Sequence, residues 1–179
     1  MSSVEKIAKK IGYVRESIFG GLWSFESNED KADSAYTQEE LRPHTDSTYS
    51  NDAPGLQLLL CCHYKASGGE SIMVDGFKIA EKIKNEKKEI YDLLTQIEVT
   101  GQYIGDGVYL KAKRPIFKVN SDNELIQVSF NNYDRAPFKL SEDKTKKFYE
   151  AIKEFDLIAN NKEYQWRHVL KPGELLIFN

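Results

Sequence analysis

The chain has 179 residues, with 25 Lys and Arg against 28 Asp and Glu and a formal net charge of −3, a length that suits one domain or most of one. Hydrophobic residues at 40% and charged residues at 30% fill a core and still cover it with a solvated surface, which excludes a mainly disordered chain. The slightly acidic balance leaves no basic excess for a nucleic acid or an anionic membrane, and no apolar run approaches the roughly 20 residues that cross a bilayer.

The first ten residues lack the apolar stretch of a secretory signal. Residues 11–25 are apolar and broken by Gly20 and Gly21, which predicts strand, turn, strand, before a polar loop over 26–34. Thr37 and Glu40 have capping-box spacing, but Pro43 closes any helix begun there, so 36–42 is at most a short turn and 44–49 reads as extended. The run Leu56 to Cys62, opened by Pro54-Gly55, predicts a buried strand. Its adjacent cysteines, Cys61 and Cys62, cannot pair with each other without strain, so there is no disulfide framework and a reducing compartment is expected. A Ser67-Gly68-Gly69 turn leads to a second strand over 71–74. Asp75 caps a helix predicted over 76–96, with Phe77, Ala80, Ile83, Ile90, Leu93, Leu94 and Ile97 at helical spacing.

Extended pieces follow over 99–104 and 108–119. Over 125–131, Ile126, Val128 and Phe130 alternate with Gln127, Ser129 and Asn131, predicting a strand with one core face and one polar face. Ser141 starts a second amphipathic helix, with Phe148, Ile152 and Phe155 on one stripe, that ends near 160–161. Strands over 164–170 and 174–178 close the chain around a Lys171-Pro172-Gly173 turn. Many strands and two covering helices predict a mainly β fold with helical insertions, an antiparallel sandwich or barrel. No repeat or composition shift divides 1–179, which reads as a single domain. Its final strand, Leu175 to Phe178, is apolar and is expected to continue into further strands.

Three groups of residues carry candidate chemistry. In His44-Thr45-Asp46, positions i and i+2 of an extended segment project to the same side, so an imidazole and a carboxylate converge. These are two of the three ligands of a 2-His-1-carboxylate face, which holds Fe(II) and leaves positions open for substrate and dioxygen; the plainer reading is a surface histidine beside a capping aspartate. Phe19, Trp23, Tyr36 and Tyr49 are either core aromatics or π-faces for a quaternary ammonium, which has no N–H to donate and is held by rings and carboxylates. The cluster Asn131-Asn132-Tyr133-Asp134-Arg135 is either a turn or one wall of a site.

Taken together and in order, Arg15 to Trp23, Asp33-Ser34-Ala35-Tyr36-Thr37, His44 to Tyr49, Pro54-Gly55-Leu56-Gln57, Gly68-Gly69, Val74-Asp75-Gly76-Phe77, Asn131 to Arg135 and Lys171-Pro172-Gly173 resemble the catalytic domain of the carnitine-pathway Fe(II)- and 2-oxoglutarate-dependent dioxygenases. That family has a trimethyllysine branch and a gamma-butyrobetaine branch. Asp33, Ser47 and the Asn131 to Arg135 block resemble the trimethyllysine branch, and a further carboxylate suits a substrate that carries an α-ammonium beside its trimethylammonium group. Gamma-butyrobetaine hydroxylation is the alternative within the family.

The resemblance implies a double-stranded β-helix, the jelly-roll of 2-oxoglutarate oxygenases, in truncated form. It implies His44 and Asp46 as iron ligands, Leu59 beside the 2-oxoglutarate pocket, and Trp23, Tyr36 and the ring of Phe19 around the trimethylammonium group; Phe19 stands where the family usually has tyrosine. Asp33 and Asn131 would supply polar contacts, Asn131 to substrate or cosubstrate. The implied reaction takes O2 and 2-oxoglutarate, hydroxylates C3 of trimethyllysine and yields succinate, with L-ascorbate keeping the iron reduced. Neither nucleic acid nor membrane is an implied partner, and the full-length protein is expected to be a homodimer, mitochondrial by resemblance or else cytoplasmic.

The family's second iron histidine and its 2-oxoglutarate arginine are expected beyond residue 179, and its N-terminal domain before residue 1. Neither His63 nor His168 stands in the second ligand's place. Residues 1–179 expressed alone are therefore expected to show no turnover. A reading of another class is a non-catalytic domain that binds a quaternary ammonium in the same aromatic pocket.

Overall fold

The computed structural model describes residues 3–24, 40–105 and 107–179. In chain order the elements are α1 (Ser3–Ile11), β1 (Gln57–Leu60), β2 (Ser71–Val74), α2 (Gly76–Glu86), α3 (Lys88–Gln96) and β3 (Glu98–Gly105). They continue with β4 (Val108–Pro115), β5 (Phe117–Val119), β6 (Leu125–Val128), α4 (Glu142–Ala159), β7 (Gln165–His168) and β8 (Leu175–Phe178). The strands described pair two by two, β1 with β8, β2 with β7, β3 with β4 and β5 with β6. With four α-helices beside them, the described residues are mixed helix and sheet rather than mainly β. The chain divides into two compact units. One holds Met1–Leu41, Gly55–Ser71 and Val169–Asn179, the other Arg42–Pro54 and Ile72–His168.

In the first unit, α1 is a helix outside the predicted elements. Val4, Ile7, Ala8 and Ile11 recur at helical spacing, and the Glu5–Lys9 pair at 2.8 Å supports one turn of it. The expected strands over 11–25 are absent from the described part of that stretch. Ser17 and Gly20 instead exchange backbone hydrogen bonds of 3.1 and 3.0 Å, and Gly20 takes a positive φ of 86°, a tight turn that leaves no length for strands. β1 and β8 run antiparallel, with Leu59 opposite Leu176 and Leu58 opposite Ile177. Both strands are only partly buried, and Ile177 is exposed, so neither is the core strand its composition suggests. The predicted turn before β8 forms at Gly173, φ +92°, with Glu174 N–H bonded to the Lys171 carbonyl at 2.9 Å.

The second unit holds the buried core. Asp75 caps α2 as its position predicts, its carboxylate accepting from the N–H groups of Phe77 and Lys78. The helix expected over 76–96 is two helices, broken at Lys87, whose φ of −143° leaves the helical region. Lys87 Nζ also reaches Glu154 of α4 at 2.6 Å. Ile79, Ala80 and Ile83 face inward while Phe77 lies exposed, which corrects the stripe read from the sequence by rotating it slightly. α4 is as predicted: Ser141 is the N-cap, and Phe148, Ile152 and Phe155 are buried along it. Phe117 of β5 stacks on Tyr91 of α3 at 5.3 Å and meets Phe155 at 5.7 Å, and Phe155 in turn meets Phe130 at 4.5 Å.

Strand β6 ends at Val128, earlier than its alternation suggests, and Ile126 is exposed. The ladder with β5 is irregular at Lys118–Val119, so the even alternation slips. Beyond it Ser129 N–H pairs with the Ile116 carbonyl at 2.8 Å, and Phe130 turns inward to the core. β3 is flanked on both sides: Gly101 lies opposite Ala112 of β4, and on the other side the 134–136 segment bonds to Thr100 and Gln102.

Candidate functional site

The His44 segment is fixed to the core by its middle residue. Thr45 N–H donates to the Phe130 carbonyl at 2.7 Å, and Phe130 N–H donates to Thr45 Oγ1 at 2.9 Å. Thr45 therefore faces the core through Phe130, and its neighbours His44 and Asp46 project together on the other side. The expected extended run stops early. Ser47 takes a φ of +54° and Ser50 N–H returns to the Ser47 carbonyl, so 47–50 is a turn. That turn seats Thr48 directly on the bare Cα of Gly101, where an added Cβ would stand 2.5 Å from the Thr48 backbone. Tyr49 is buried against Tyr103, ring centroids 5.2 Å apart, so of the aromatic candidates it is core.

His44 Nε2 lies 3.3 Å from Asp46 Oδ1, the convergence that the i, i+2 spacing predicts. The other ring nitrogen, Nδ1, is 2.8 Å from the Arg42 carbonyl. A carbonyl only accepts, so Nδ1 carries the hydrogen and Nε2 is the nitrogen turned to the carboxylate. The Asp46 hydrogen bond, the Arg42 carbonyl and the negative charges of Asp46 and Asp134 hold the imidazole pKa above its ordinary value, against an opposing effect of burial.

Two further residues, Tyr133 and Arg42, buttress this pair. The ring of Tyr133 meets the His44 ring edge-on at 5.8 Å, and Tyr133 Oη accepts from Arg42 N–H at 3.1 Å. Arg42 Nη1 reaches Asp156 of α4 at 3.2 Å. Tyr133 belonged to a block the sequence singled out, but its contact with a segment 91 residues away is visible only in the fold. The block itself is a turn. Asn131 Oδ1 accepts from the N–H groups of Tyr133 and Asp134, and Asn131 Nδ2 donates to Asp134 Oδ2 at 2.9 Å. Thr48 Oγ1 donates to the same carboxylate oxygen at 3.2 Å, which ties the two loops together.

Phe19, Trp23 and Leu59 lie in the other unit. Phe19 and Trp23 are neighbours, ring centroids 5.5 Å apart and planes at 33°, with Trp23 exposed. Leu59 is half-buried on β1. Asp33 and Tyr36 fall outside the described residues. His168 stacks on Trp166 at 5.4 Å, as their shared strand face predicts. Among the described residues no three His, Cys, Asp or Glu side chains are grouped to hold a metal ion. The pair that is present suits a divalent cation. His44 Nε2 and an Asp46 carboxylate oxygen face each other, with Nδ1 held on a backbone carbonyl behind the ring, so a cation that displaces the Nε2 proton meets the arrangement that metal-binding histidines use.

The family model described as taurine catabolism dioxygenase TauD, TfdA family matches residues 1–179. The trimethyllysine dioxygenase of Meyerozyma guilliermondii is 38% identical over 180 residues, covering 98% of this chain and 45% of that protein. The human mitochondrial trimethyllysine dioxygenase is 32% identical over 181 residues, 98% of this chain and 43% of its own length. Human gamma-butyrobetaine dioxygenase is 29% identical over 180 residues, 98% and 46% respectively. The chain thus spans less than half the length of these relatives.

Proposed function

The chain belongs to the taurine catabolism dioxygenase TauD, TfdA family, and on that premise we propose that it carries the iron-binding face of an Fe(II)- and 2-oxoglutarate-dependent oxygenase that hydroxylates C3 of trimethyllysine. The observation that carries the reading is the His44–Asp46 face, 3.3 Å from Nε2 to Oδ1 with Nδ1 already engaged. Bound iron supplies the Lewis acidity and redox chemistry that couple O2 to decarboxylation of 2-oxoglutarate and hydroxylation of a C–H bond. His44 would bind it through Nε2, because the Nδ1 hydrogen is held on the Arg42 carbonyl, and Asp46 through its half-exposed carboxylate. The edge of Tyr133 keeps the imidazole plane in place.

In this reading Trp23 and Phe19 offer π-faces to the trimethylammonium group, Tyr36 adds a third ring and Asp33 answers the substrate's α-ammonium. Leu59 lines the 2-oxoglutarate pocket. Asn131 serves substrate or cosubstrate by exchanging its present bond to Asp134. The surrounding framework is a double-stranded β-helix, L-ascorbate maintains the iron, and the location is mitochondrial, as the human relative's name states for that protein. Identities of 38% and 32% to trimethyllysine dioxygenases against 29% to a gamma-butyrobetaine dioxygenase favour trimethyllysine as substrate.

The test offers trimethyllysine, gamma-butyrobetaine and lysine, with Fe(II), 2-oxoglutarate and ascorbate, to the gene product that contains residues 1–179. Mass spectrometry is expected to find one oxygen gained on trimethyllysine, abolished by His44→Ala and by Asp46→Ala. Oxygen gained only on gamma-butyrobetaine would reassign the substrate, and trimethyllysine binding with no oxygen gained would make the domain a quaternary-ammonium binding module. Residues 1–179 alone are expected to hold metal loosely and to give no product; turnover by that purified polypeptide would overturn the two-ligand account.

A further inference from the structure

The second unit contains a cavity of about 20 Å3, roughly the space of one water molecule or one small ion. Arg114 of β4 and Arg135, at the end of the Asn131 turn, both line it. One nitrogen of each guanidinium, Nη2 of Arg114 and Nη1 of Arg135, is buried and makes no hydrogen bond among the described residues. Ile116, Phe130 and Ile152 supply an apolar wall, and the neutral side chains of Thr48, Thr100, Ser129, Asn131 and Asn132 complete the lining, so no carboxylate lines the cavity. Arginine stays charged at any pH a cell reaches, and a buried charged donor without an acceptor is costly.

The surroundings answer these charges only in part. Arg135 lies 5.2 Å over the ring of Tyr149, which gives its guanidinium a π-face on one side. The charge of Asp52 attracts Arg114, yet burial still lowers the Arg114 pKa below its ordinary value, so desolvation outweighs that attraction. Asp134, which bonds to the cavity-lining residues Thr48 and Asn131, accepts from both at Oδ2.

We infer that the cavity takes a small monovalent anion, of the size of chloride, held by the buried N–H groups of Arg114 and Arg135. A water molecule would accept from both nitrogens and leave both charges as they are. An anion accepts from both and neutralises one of the charges, and it does so in a low-dielectric pocket where that attraction is strong. Phosphate, sulfate and the carboxylate of a larger molecule do not fit in about 20 Å3. Neither arginine is given a role in the proposed iron, substrate or 2-oxoglutarate binding, and the cavity shares only Asn131 with that site.

Thermal unfolding of the purified protein in sodium chloride, sodium bromide and sodium gluconate, at equal ionic strength, tests the inference. Gluconate is too large to enter. A saturable rise in Tm is expected with chloride and with bromide, beyond any change in gluconate. The NMR line of chloride is expected to broaden in the presence of the protein and to narrow when bromide displaces it. Arg114→Gln and Arg135→Gln are each expected to lose both effects while keeping the native circular dichroism. Equal Tm in chloride and gluconate, or chloride effects that survive unchanged in both variants, would overturn the inference in favour of a water site or a general salt effect. Should the variants fail to fold, the anomalous signal of bromide in crystals of the unaltered protein decides: a peak between the two guanidiniums supports the site, and its absence at saturating bromide overturns it.

Discussion

Replacing Gly101 by alanine places a methyl group where the His44 loop meets β3. The added Cβ would stand 2.5 Å from both the carbonyl carbon and the oxygen of Thr48, and 2.8 Å from Thr48 Oγ1, where ordinary contact begins near 3.4 Å. The shortfall is 3.4 − 2.5, about 0.9 Å, and the obstacle is backbone rather than the end of a flexible side chain. Retreat of the strand is blocked, because Gly101 pairs with Ala112 on one side and bridges to Arg135 on the other. The loop must move instead, and Thr48 then pulls away from Asp134 and drags Asp46, two residues back, off its line with His44. Overpacking of this kind costs about 1–3 kcal/mol, which with a urea m-value of about 2 kcal/mol/M lowers the unfolding midpoint by about 0.5–1.5 M. Binding of Mn(II), followed by electron paramagnetic resonance, is expected to weaken about tenfold, as when the shell behind a metal ligand is disturbed. Gly55→Ala is the control. Nothing lies within 4 Å of its added Cβ and its φ is not in the left-handed region, so its stability should stay within about 0.5 kcal/mol of the parent. A Gly101→Ala protein indistinguishable from that control in both assays would refute the reasoning.

Tyr133→Phe keeps the ring against His44 and removes the acceptor for Arg42 N–H, an exposed bond, so stability should fall by about 1 kcal/mol or less with Mn(II) affinity nearly retained. Tyr133→Ala removes the ring as well and should weaken Mn(II) about tenfold; equal affinities for the two variants would show that the ring does not position the imidazole. Tyr91 is buried beside Phe117, and burial first, then the Asp92 charge, raises its phenol pKa above the ordinary 10.0. Below about pH 10 both states keep the proton; above it the unfolded chain releases its proton first, so stability falls until the folded value is passed. Tyr91→Phe should therefore lose less stability than the parent in urea titrations above pH 10, and parallel losses would contradict the shift. Trp23→Ala should weaken trimethyllysine binding about tenfold in calorimetry, with Trp23→Phe intermediate; unchanged binding would remove Trp23 from the cage.

Local signals were read well where the structure kept them local. Ser141 with Phe148, Ile152 and Phe155 repeats every three to four residues, and Asp75 offers its carboxylate to the next turn, so α4 and the start of α2 need no distant partner to be seen. The break at Lys87 carries no Gly or Pro to announce it, and the ion pair with Glu154 that accompanies it is tertiary. The 125–131 strand is shorter than its alternation predicts for a similar reason: Ser129 and Phe130 give their N–H groups to Ile116 and Thr45 rather than continuing a ladder with β5. The His44–Asp46 pair was legible because period-two geometry alone aims both side chains one way. Tyr133 and Arg42 were not, since only the folded chain brings the 131–135 turn behind the imidazole.

The face owes its rigidity to residues that never touch a ligand. Phe130 sits in the ring cluster with Phe155, and through its backbone it holds Thr45 from both sides with hydrogen bonds of 2.7 and 2.9 Å. Thr45 lies between the two proposed ligands, so any displacement of Phe130 is transmitted to His44 and Asp46 together rather than to one of them. Arg42 adds a second tie, with its carbonyl on His44, its N–H on Tyr133 and its guanidinium on Asp156 of α4. A loop with no strand hydrogen-bond ladder of its own thereby borrows its order from α4 and the aromatic core, and a metal bound to it pays less of the ordering cost that a free His-x-Asp segment would carry. Core substitutions at Phe130 or Phe155 are accordingly expected to loosen metal binding even where both ligands are intact, a consequence that ligand spacing in the sequence does not contain.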